Sequence, residues 1–353
     1  MVMTLFVLPA LACASRFAID WSRWRIDGCE RLLVVGTSAE SIRLARELHE
    51  QRHELAVEVV GFVDRDPARV GTRLFNPSIV GAIECLGVTI REQAPDRVAI
   101  SAASGVEDLS VDELLRLRFS GVTFDHLAAI YEEFTGKLAI ESLTPMALMS
   151  SAGFTRRSWL AATKRATDII AAAAGLVLAS PLLLAVAALV KATSPGPVFY
   201  SQDRVGRGGR IFRMHKFRSM RRDAERGTGP VWACDNDTRV TPVGRLLRRT
   251  RVDELPQLWN VLRGDMSLVG PRPERPEIDE TLIAEIPLYA ERRLVKPGIT
   301  GWAQVSHSYA ASVRDARVKL QYDLFYIKKV SMAFDFLILL MTTKTMLRGS
   351  GSR

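Results

Sequence analysis

The feature that most constrains this chain is an apolar run from Ile169 to Val190, interrupted only at Ser180-Pro181. As an α-helix it would be about 33 Å long, enough to cross a hydrocarbon core of about 30 Å. Two properties oppose a straight span. Pro181 has no backbone N–H and its ring clashes with the preceding turn, so a break is expected there, with Ser180 able to satisfy a freed carbonyl. Both flanks are basic: Arg156, Arg157, Lys164 and Arg165 precede the run, and Lys191, Arg204, Arg207 and Arg210 follow it. Positive charge belongs on the cytoplasmic side. Residues 168–191 are therefore expected to form a re-entrant helix–break–helix hairpin that enters and leaves by one face. A second apolar stretch, Leu5 to Ala14, is too short to span and no signal-peptide cleavage site follows it, so residues 1–30 read as an apolar stub or linker.

Around the hairpin, 353 residues are enough for two domains. In residues 31–130 strand and helix patterns alternate. Arg31 to Val35 reads as a buried strand ending at Gly36, Ser38 to Gln51 as a helix with Ile42, Leu44, Ala45 and Leu48 on one face, and Val57 to Val63 as a strand closed by Asp64-Arg65-Asp66-Pro67. Arg97 to Ser101 is a third strand and Val111 to Phe119 a further helix. This predicts an open α/β sheet of Rossmann-like type. Its phosphate loop is degenerate: Gly36-Thr37-Ser38-Ala39-Glu40-Ser41 lacks the second and third glycines, and Glu40 sets negative charge where a pyrophosphate would lie. A structural or regulatory domain is expected. Residues 131–163 read as a connector.

Metal and nucleic-acid readings are narrowed by composition. Cys13, Cys29, Cys85 and Cys234 form no Cys-x-x-Cys pair, and the five histidines form no His-Glu-x-x-His pattern, so a structural zinc site is not expected. The net charge of +9 suits nucleic acid, anionic lipid or phosphorylated substrates. The adjacent acids Asp253 and Glu254 help to choose. An identical Val-Asp-Glu-Leu at Val111 to Leu114 looks like an ordinary helix start, but the pair at 253 lies among Arg239, Arg245, Arg248, Arg249, Arg251 and Arg263. Gly270-Pro271-Arg272-Pro273 follows as a rigid turn carrying another guanidinium, and His215-Lys216-Phe217-Arg218 lies upstream. Arginine matches phosphate oxygens with two parallel hydrogen bonds. A carboxylate among such groups can attack phosphorus or hold a magnesium ion on a diphosphate. Nucleic-acid binding fits less well, because few aromatics interleave for stacking and two acids would repel a phosphate backbone.

Seven motifs occur in one order: Lys164-Arg165 with Asp168, Ser180-Pro181 within the apolar run, Pro195-Gly-Pro-Val-Phe-Tyr-Ser-Gln, Lys216-Phe-Arg-Ser-Met, Asp253-Glu-Leu-Pro-Gln, Gly264-Asp-Met-Ser-Leu-Val-Gly-Pro-Arg-Pro, and Lys296-Pro-Gly-Ile-Thr-Gly-Trp-Ala-Gln. In these the chain resembles the bacterial sugar transferases, the monotopic polyprenyl-phosphate phosphoglycosyl transferases, over residues 164–348. Glu141-Ser-Leu-Thr-Pro and Gly229-Pro-Val-Trp-Ala resemble long, exopolysaccharide-type members. Those members usually begin with several transmembrane helices, of which the sequence upstream of Arg31 is expected to hold at most a stub, leaving the topology there open.

The resemblance implies a membrane-embedded α/β catalytic domain that moves a sugar-1-phosphate from a UDP-sugar to polyprenyl phosphate. Asp253 would be the nucleophile, forming an aspartyl-phosphosugar and expelling UMP. Glu254 would support a Mg2+ site or handle protons, so both acids are candidate metal ligands. Arg248, Arg272 and Gln304 match positions near nucleotide or phosphates, Lys216 and Arg218 join them as substrate-binding candidates, and Lys164 and Arg165 would meet the carrier phosphate at headgroup level. Implied partners are UDP-sugar, polyprenyl phosphate and membrane lipid, with a homodimer open and no nucleic acid. The implied location is the bacterial inner membrane, with the catalytic domain facing the cytoplasm. Two rivals stand beside this reading: a non-catalytic membrane scaffold of a polysaccharide assembly complex, and an NAD-dependent UDP-sugar epimerase or oxidoreductase, which would need the glycine fingerprint that Gly36 to Ser41 lacks.

Overall fold

The computed structural model describes residues 29–75, 77–101, 104, 111–119, 121–140, 158–221, 239–307 and 312–348. The chain divides into two compact units, Met1–Ser150 and Ser151–Arg353. Arg156, Arg157, the motifs beginning at Glu141 and Gly229, and nearly all of the stub at 1–30 lie outside the described residues.

The first unit is built on five parallel strands, β1 (Glu30–Val35), β2 (Val57–Asp64), β3 (Ile79–Ala82), β4 (Arg97–Ile100) and β5 (Thr123–His126), in the order β3-β2-β1-β4-β5. Residues 32–35 are fully buried, as a strand covered on both faces must be. Their side chains alternate. Leu32 and Val34 join the cluster holding Leu44, Ala45 and Leu48 of α1 (Ala39–Glu50) and Ile130 and Tyr131. Leu33 and Val35 join the cluster on the other face, with Leu86, Ile90 and Leu117. Ser38 caps α1 by accepting from the Ser41 amide. A short α2 (Arg52–Leu55), α3 (Leu86–Gln93), α4 (Val111–Phe119) and α5 (Leu127–Thr135) complete the unit. The Val-Asp-Glu-Leu at Val111 to Leu114 opens α4, as the expected helix start should. Strands β3 and β5 were not foreseen; each has only four residues, and the solvent-facing pattern of β5 carries little apolar signal.

This strand order reverses between β1 and β4, where doubly wound sheets hold their ligands. Here the polar groups at that rim bond to one another. Asp64, at the end of β2, accepts from the Thr37 hydroxyl, from the Asp66 amide at 2.9 Å and from Arg69 Nη1 at 2.6 Å. Ser41 donates to Ser101 at 2.6 Å.

The second unit begins with one long helix, α6 (Ser158–Thr193), which is long and apolar enough to cross a membrane. The expected break does not interrupt it: the helix runs through Pro181. Proline deprives the carbonyl four residues earlier, Val177, of its donor. Ser180 Oγ donates to that carbonyl at 2.8 Å, so the ladder keeps a bond where the amide is missing. The first part of α6 packs through Ala172 against Met214, Val261 and Met266, and the last part through Val186 and Val190 against Phe217 and Leu247. Val177, Leu178 and Leu184, between these anchors, are exposed.

The remaining elements are small. An antiparallel hairpin, β6 (Phe199–Val205) and β7 (Ile211–Phe217), precedes α7 (Pro242–Arg249) and α8 (Gln257–Arg263). A parallel pair, β8 (Ser267–Val269) and β9 (Gly298–Thr300), brackets α9 (Pro276–Glu285), and α10 (Trp302–Ser306), α11 (Val313–Lys329) and α12 (Met332–Arg348) close the described chain.

Candidate active site

The acids Asp253 and Glu254 sit in a single 3₁₀ turn, Val252–Glu254, between α7 and α8. Helix α7 is fixed at its start, where Thr241 accepts from the Gly244 amide at 2.9 Å. A Cβ on Gly244 would lie 1.9 Å from the Ser219 carbonyl oxygen, so only glycine lets α7 come this close to the strand-end segment. The chain then reverses through Arg251, a non-glycine residue in the left-handed region at φ 57°. This turn carries both carboxylates inward, leaving Asp253 6% and Glu254 8% exposed.

The two neighbours are held differently. Lys216 Nζ on β7 donates to Glu254 Oε1 at 2.7 Å, and Arg272 Nη2 donates to the same oxygen at 2.7 Å. The guanidinium of Arg251 lies 3.6 Å from Oε2. Burial pushes the Glu254 carboxyl up, but Arg272 and Lys216 outweigh it and hold the group well below the usual carboxylate range. Asp253 has no such cage. Its Oδ1 is buried without a hydrogen-bond partner among the described residues. Burial and then the Glu254 charge push it above the ordinary aspartate value, against the pull of Lys216, Arg248 and Arg272. Burial also lowers the Lys216 ammonium, despite the charge of Glu254.

Arg272 is positioned by backbone contacts. Gly270 N donates to Thr300 O and Gly298 N to Pro271 O, both at 2.9 Å, so the two strands β8 and β9 continue into the Gly270-Pro271-Arg272 turn. A Cβ on Gly298 would meet Gly270 N at 2.1 Å, and one on Gly270 would meet the Lys296 carbonyl oxygen at 2.4 Å, which explains glycine in both motifs. Arg292, buried and paired to Asp323 at 2.7 Å, donates to the Arg272 carbonyl at 2.9 Å. Arg248 Nε donates to Ser219 Oγ at 3.0 Å, and its charge bears on Asp253.

The structure thus brings together Asp253, Glu254, Lys216, Arg248 and Arg272, and adds Arg251. Other candidates are engaged elsewhere. Arg165 donates to the Val261 and Leu262 carbonyls at 2.6 and 2.8 Å, capping the end of α8. Lys164 pairs with Asp335 and donates to the Val269 carbonyl at 3.0 Å. Arg218 donates to the carbonyls of Pro195 at 3.1 Å and Ser194 at 2.8 Å. Arg165 and Arg218 therefore fasten carbonyls at or just past helix ends, where partial negative charge accumulates, and Lys164 ties Asp335 to the end of β8. Gln304, on α10, reaches the Ile299 carbonyl at 3.4 Å while its Oε1 is buried without a hydrogen-bond partner.

An oxygen-preferring cation such as Mg2+ binds through one or two carboxylates plus substrate phosphates. The unpartnered Oδ1 of Asp253 fits that arrangement, whereas the Glu254 oxygens face cations. Among the described residues no group of three or more His, Cys, Asp or Glu side chains forms an all-protein cage.

The sequence profile of the bacterial sugar transferases matches residues 159–349. A UDP-N-acetylgalactosamine-undecaprenyl-phosphate N-acetylgalactosaminephosphotransferase of Aeromonas hydrophila is 44% identical over 267 residues, 73% of this chain and 62% of that protein. A UDP-glucose:undecaprenyl-phosphate glucose-1-phosphate transferase of Xanthomonas campestris is 44% identical over 200 residues, 56% of this chain and 41% of that protein. A protein of the same description from Caulobacter vibrioides is 45% identical over 186 residues, 52% of this chain and 69% of its own length. The matches thus span less than two thirds of the first two relatives.

Proposed function

This chain belongs to the bacterial sugar transferase family, and we propose that it moves a sugar-1-phosphate from a UDP-sugar to a polyprenyl phosphate. The observation that carries the proposal is the asymmetry of the acid pair: Glu254 is neutralised by cations, while Asp253 is buried with an oxygen that has no hydrogen-bond partner among the described residues. A buried, underbonded carboxylate among guanidinium groups is suited to attack phosphorus.

In the proposed first step an Asp253 oxygen bonds to the β-phosphorus, and the bond from that phosphorus to the bridging oxygen breaks. UMP leaves with the electron pair, and the sugar phosphate stays on Asp253 as an acyl phosphate. In the second step an oxygen of polyprenyl phosphate attacks the same phosphorus, Asp253 departs as a carboxylate, and a polyprenyl diphosphate sugar is formed. Arg248 and Arg272 bear on Asp253 and offer positive charge to the oxygens around phosphorus. Lys216, Arg251 and Arg272 keep Glu254 ionised and fixed, so that its charge keeps Asp253 basic. Mg2+, held by Asp253 together with the donor's phosphates, would neutralise charge on the diphosphate.

We place the unit at the inner membrane facing the cytoplasm, with α6 bending at Pro181, its ladder kept by Ser180, so that the helix enters and leaves by one face. Support comes from the packing of both ends of α6 onto the same unit, with exposed apolar residues between them. Cysteines introduced at Ser158 and Ser201, with native cysteines removed, should both resist an impermeant thiol reagent in intact cells. Labelling of one alone would mean a spanning helix. The activity itself is tested with purified protein, Mg2+, polyprenyl phosphate and a panel of UDP-sugars that includes UDP-glucose and UDP-N-acetylgalactosamine. UMP release with at least one donor is expected, and release from none across a broad panel would overturn the proposal.

A further inference from the structure

Asn260, on α8, carries no charge and touches neither acid, yet it is completely buried. Its Nδ2 donates to the Arg213 carbonyl at 2.7 Å and its Oδ1 accepts from the His215 amide at 3.0 Å. Both backbone groups belong to β7, whose strand partner is β6. The side-chain amide therefore does for the other edge of β7 what a peptide of a third strand would do, bonding one carbonyl and one N–H two residues apart. The next residue along β7 is Lys216, whose ammonium holds Glu254.

The backbone of Asn260 works in a second direction. Its carbonyl accepts from the amides of Gly264 at 3.1 Å and Asp265 at 3.0 Å. These bonds turn the chain out of α8 into β8, which leads to the Gly270-Pro271-Arg272 turn and so to the second cation on Glu254 Oε1. One residue, seven positions after Asp253, thus ties the acid-bearing turn to the strands that deliver both Lys216 and Arg272.

We propose that Asn260 is a positioning residue for the transfer reaction, acting by holding β7 so that Lys216 sets Glu254 beside Asp253. The inference rests on the function proposed above. A displacement of about 1 Å remote from the chemistry can cost on the order of 100-fold in rate, so loss of the Asn260 amide should fall on kcat and leave the donor KM nearly unchanged.

The experiment is a double-mutant cycle in full-length protein, with UMP release measured per folded enzyme. Its members are wild type, Asn260→Leu, Lys216→Met and the double variant. Asn260→Leu alone is expected to lower kcat at least about tenfold, with donor KM changed less than about threefold. In the Lys216→Met background the same change should cost less than about threefold, because the side chain it positions is gone. If Asn260→Leu does not fold, Asn260→Ala in both backgrounds gives the same cycle, since it removes both bonds to β7 without adding bulk or charge. Equal losses in the two backgrounds would overturn the inference, as would an Asn260 variant with wild-type kcat. Failure of the functional reading is distinguishable, because wild type itself would then release no UMP.

Discussion

Asp64 in the first unit and Asp253 in the second are both buried carboxylates with arginine close by, and they are held in opposite ways. Asp64 accepts from Thr37, from the Asp66 amide and from Arg69. Burial pushes it up, but those bonds outweigh the burial and its carboxyl ends below the ordinary value. Asp253 is buried with an unpartnered oxygen and ends above it. The first arrangement stabilises the ionised form for the benefit of the fold. The second leaves a charge under-satisfied, a cost that a fold retains when a substrate completes the site. Glu254 resembles Asp64 rather than its immediate neighbour, which is why the pair reads as one reactive acid and one held acid.

The contrast makes four predictions. The largest effect belongs to Asp253→Asn: turnover should be lost by several orders of magnitude, as for removal of a nucleophile, while the melting temperature does not fall. The sign follows from the shift. A carboxyl raised above its unfolded value of 3.8 destabilises the fold once it ionises, so the substitution removes a penalty present at neutral pH and absent well below that value. A melting temperature that drops as turnover is lost would make Asp253 a structural acid.

Glu254→Gln should also impair turnover, but it should destabilise as well. It strips a counter-ion from Lys216 and Arg272 and should cost about 3 kcal/mol, the lower end for breaking a buried pair. Because Glu254 is held below its unfolded value of 4.5, its contribution is fully present above that pH and is lost as pH falls through the folded value. Unfolding measured against pH should show a steeper acid dependence in wild type than in Glu254→Gln, which keeps only that of other held acids such as Asp64.

Asp64→Asn should leave turnover per folded enzyme unchanged. Arg69 is 43% exposed, so the ion pair itself contributes little, and the loss of hydrogen bonds should cost about 1–2 kcal/mol in chemical denaturation. The smallest effect is expected at Ser180. Ser180→Ala removes the donor to the Val177 carbonyl and should cost about 0.6 kcal/mol in lipid. Pro181→Leu restores the amide, so the cost of Ser180→Ala should vanish in that background. A persistent cost would show that the hydroxyl does something other than replace the missing N–H.

Part of this contrast was legible before any coordinates. Periodicity marked α1, the runs of β1 and β2 marked buried strands, and the density of arginine around Asp253 separated that pair from the identical tetrapeptide opening α4. Other parts were not legible, for reasons that lie in three-dimensional contact. Lys164, Arg165 and Arg218 carry the same charge in sequence as Lys216 and Arg272. Whether a cation meets a carboxylate or the carbonyls at a helix end depends on which elements pack together, as Arg165 does on α8. Asn260 gave no signal, since its role is to bond a strand edge 45 residues earlier. Pro181 signalled a broken helix; Ser180 was legible as a donor to a freed carbonyl, but that its hydroxyl keeps the ladder running at Val177 depends on its rotamer.

The central claim is that Asp253 carries the sugar phosphate, and a single-turnover experiment without acceptor tests it most directly. Enzyme, Mg2+ and the active UDP-sugar are mixed without polyprenyl phosphate. UMP is counted per enzyme, and the protein is digested to find the adduct. We expect one UMP per active site in a burst, a phosphosugar mass on the peptide containing Asp253, and neither in Asp253→Asn. UMP that appears only when polyprenyl phosphate is added, with no adduct on the protein, would contradict the account and mean direct displacement.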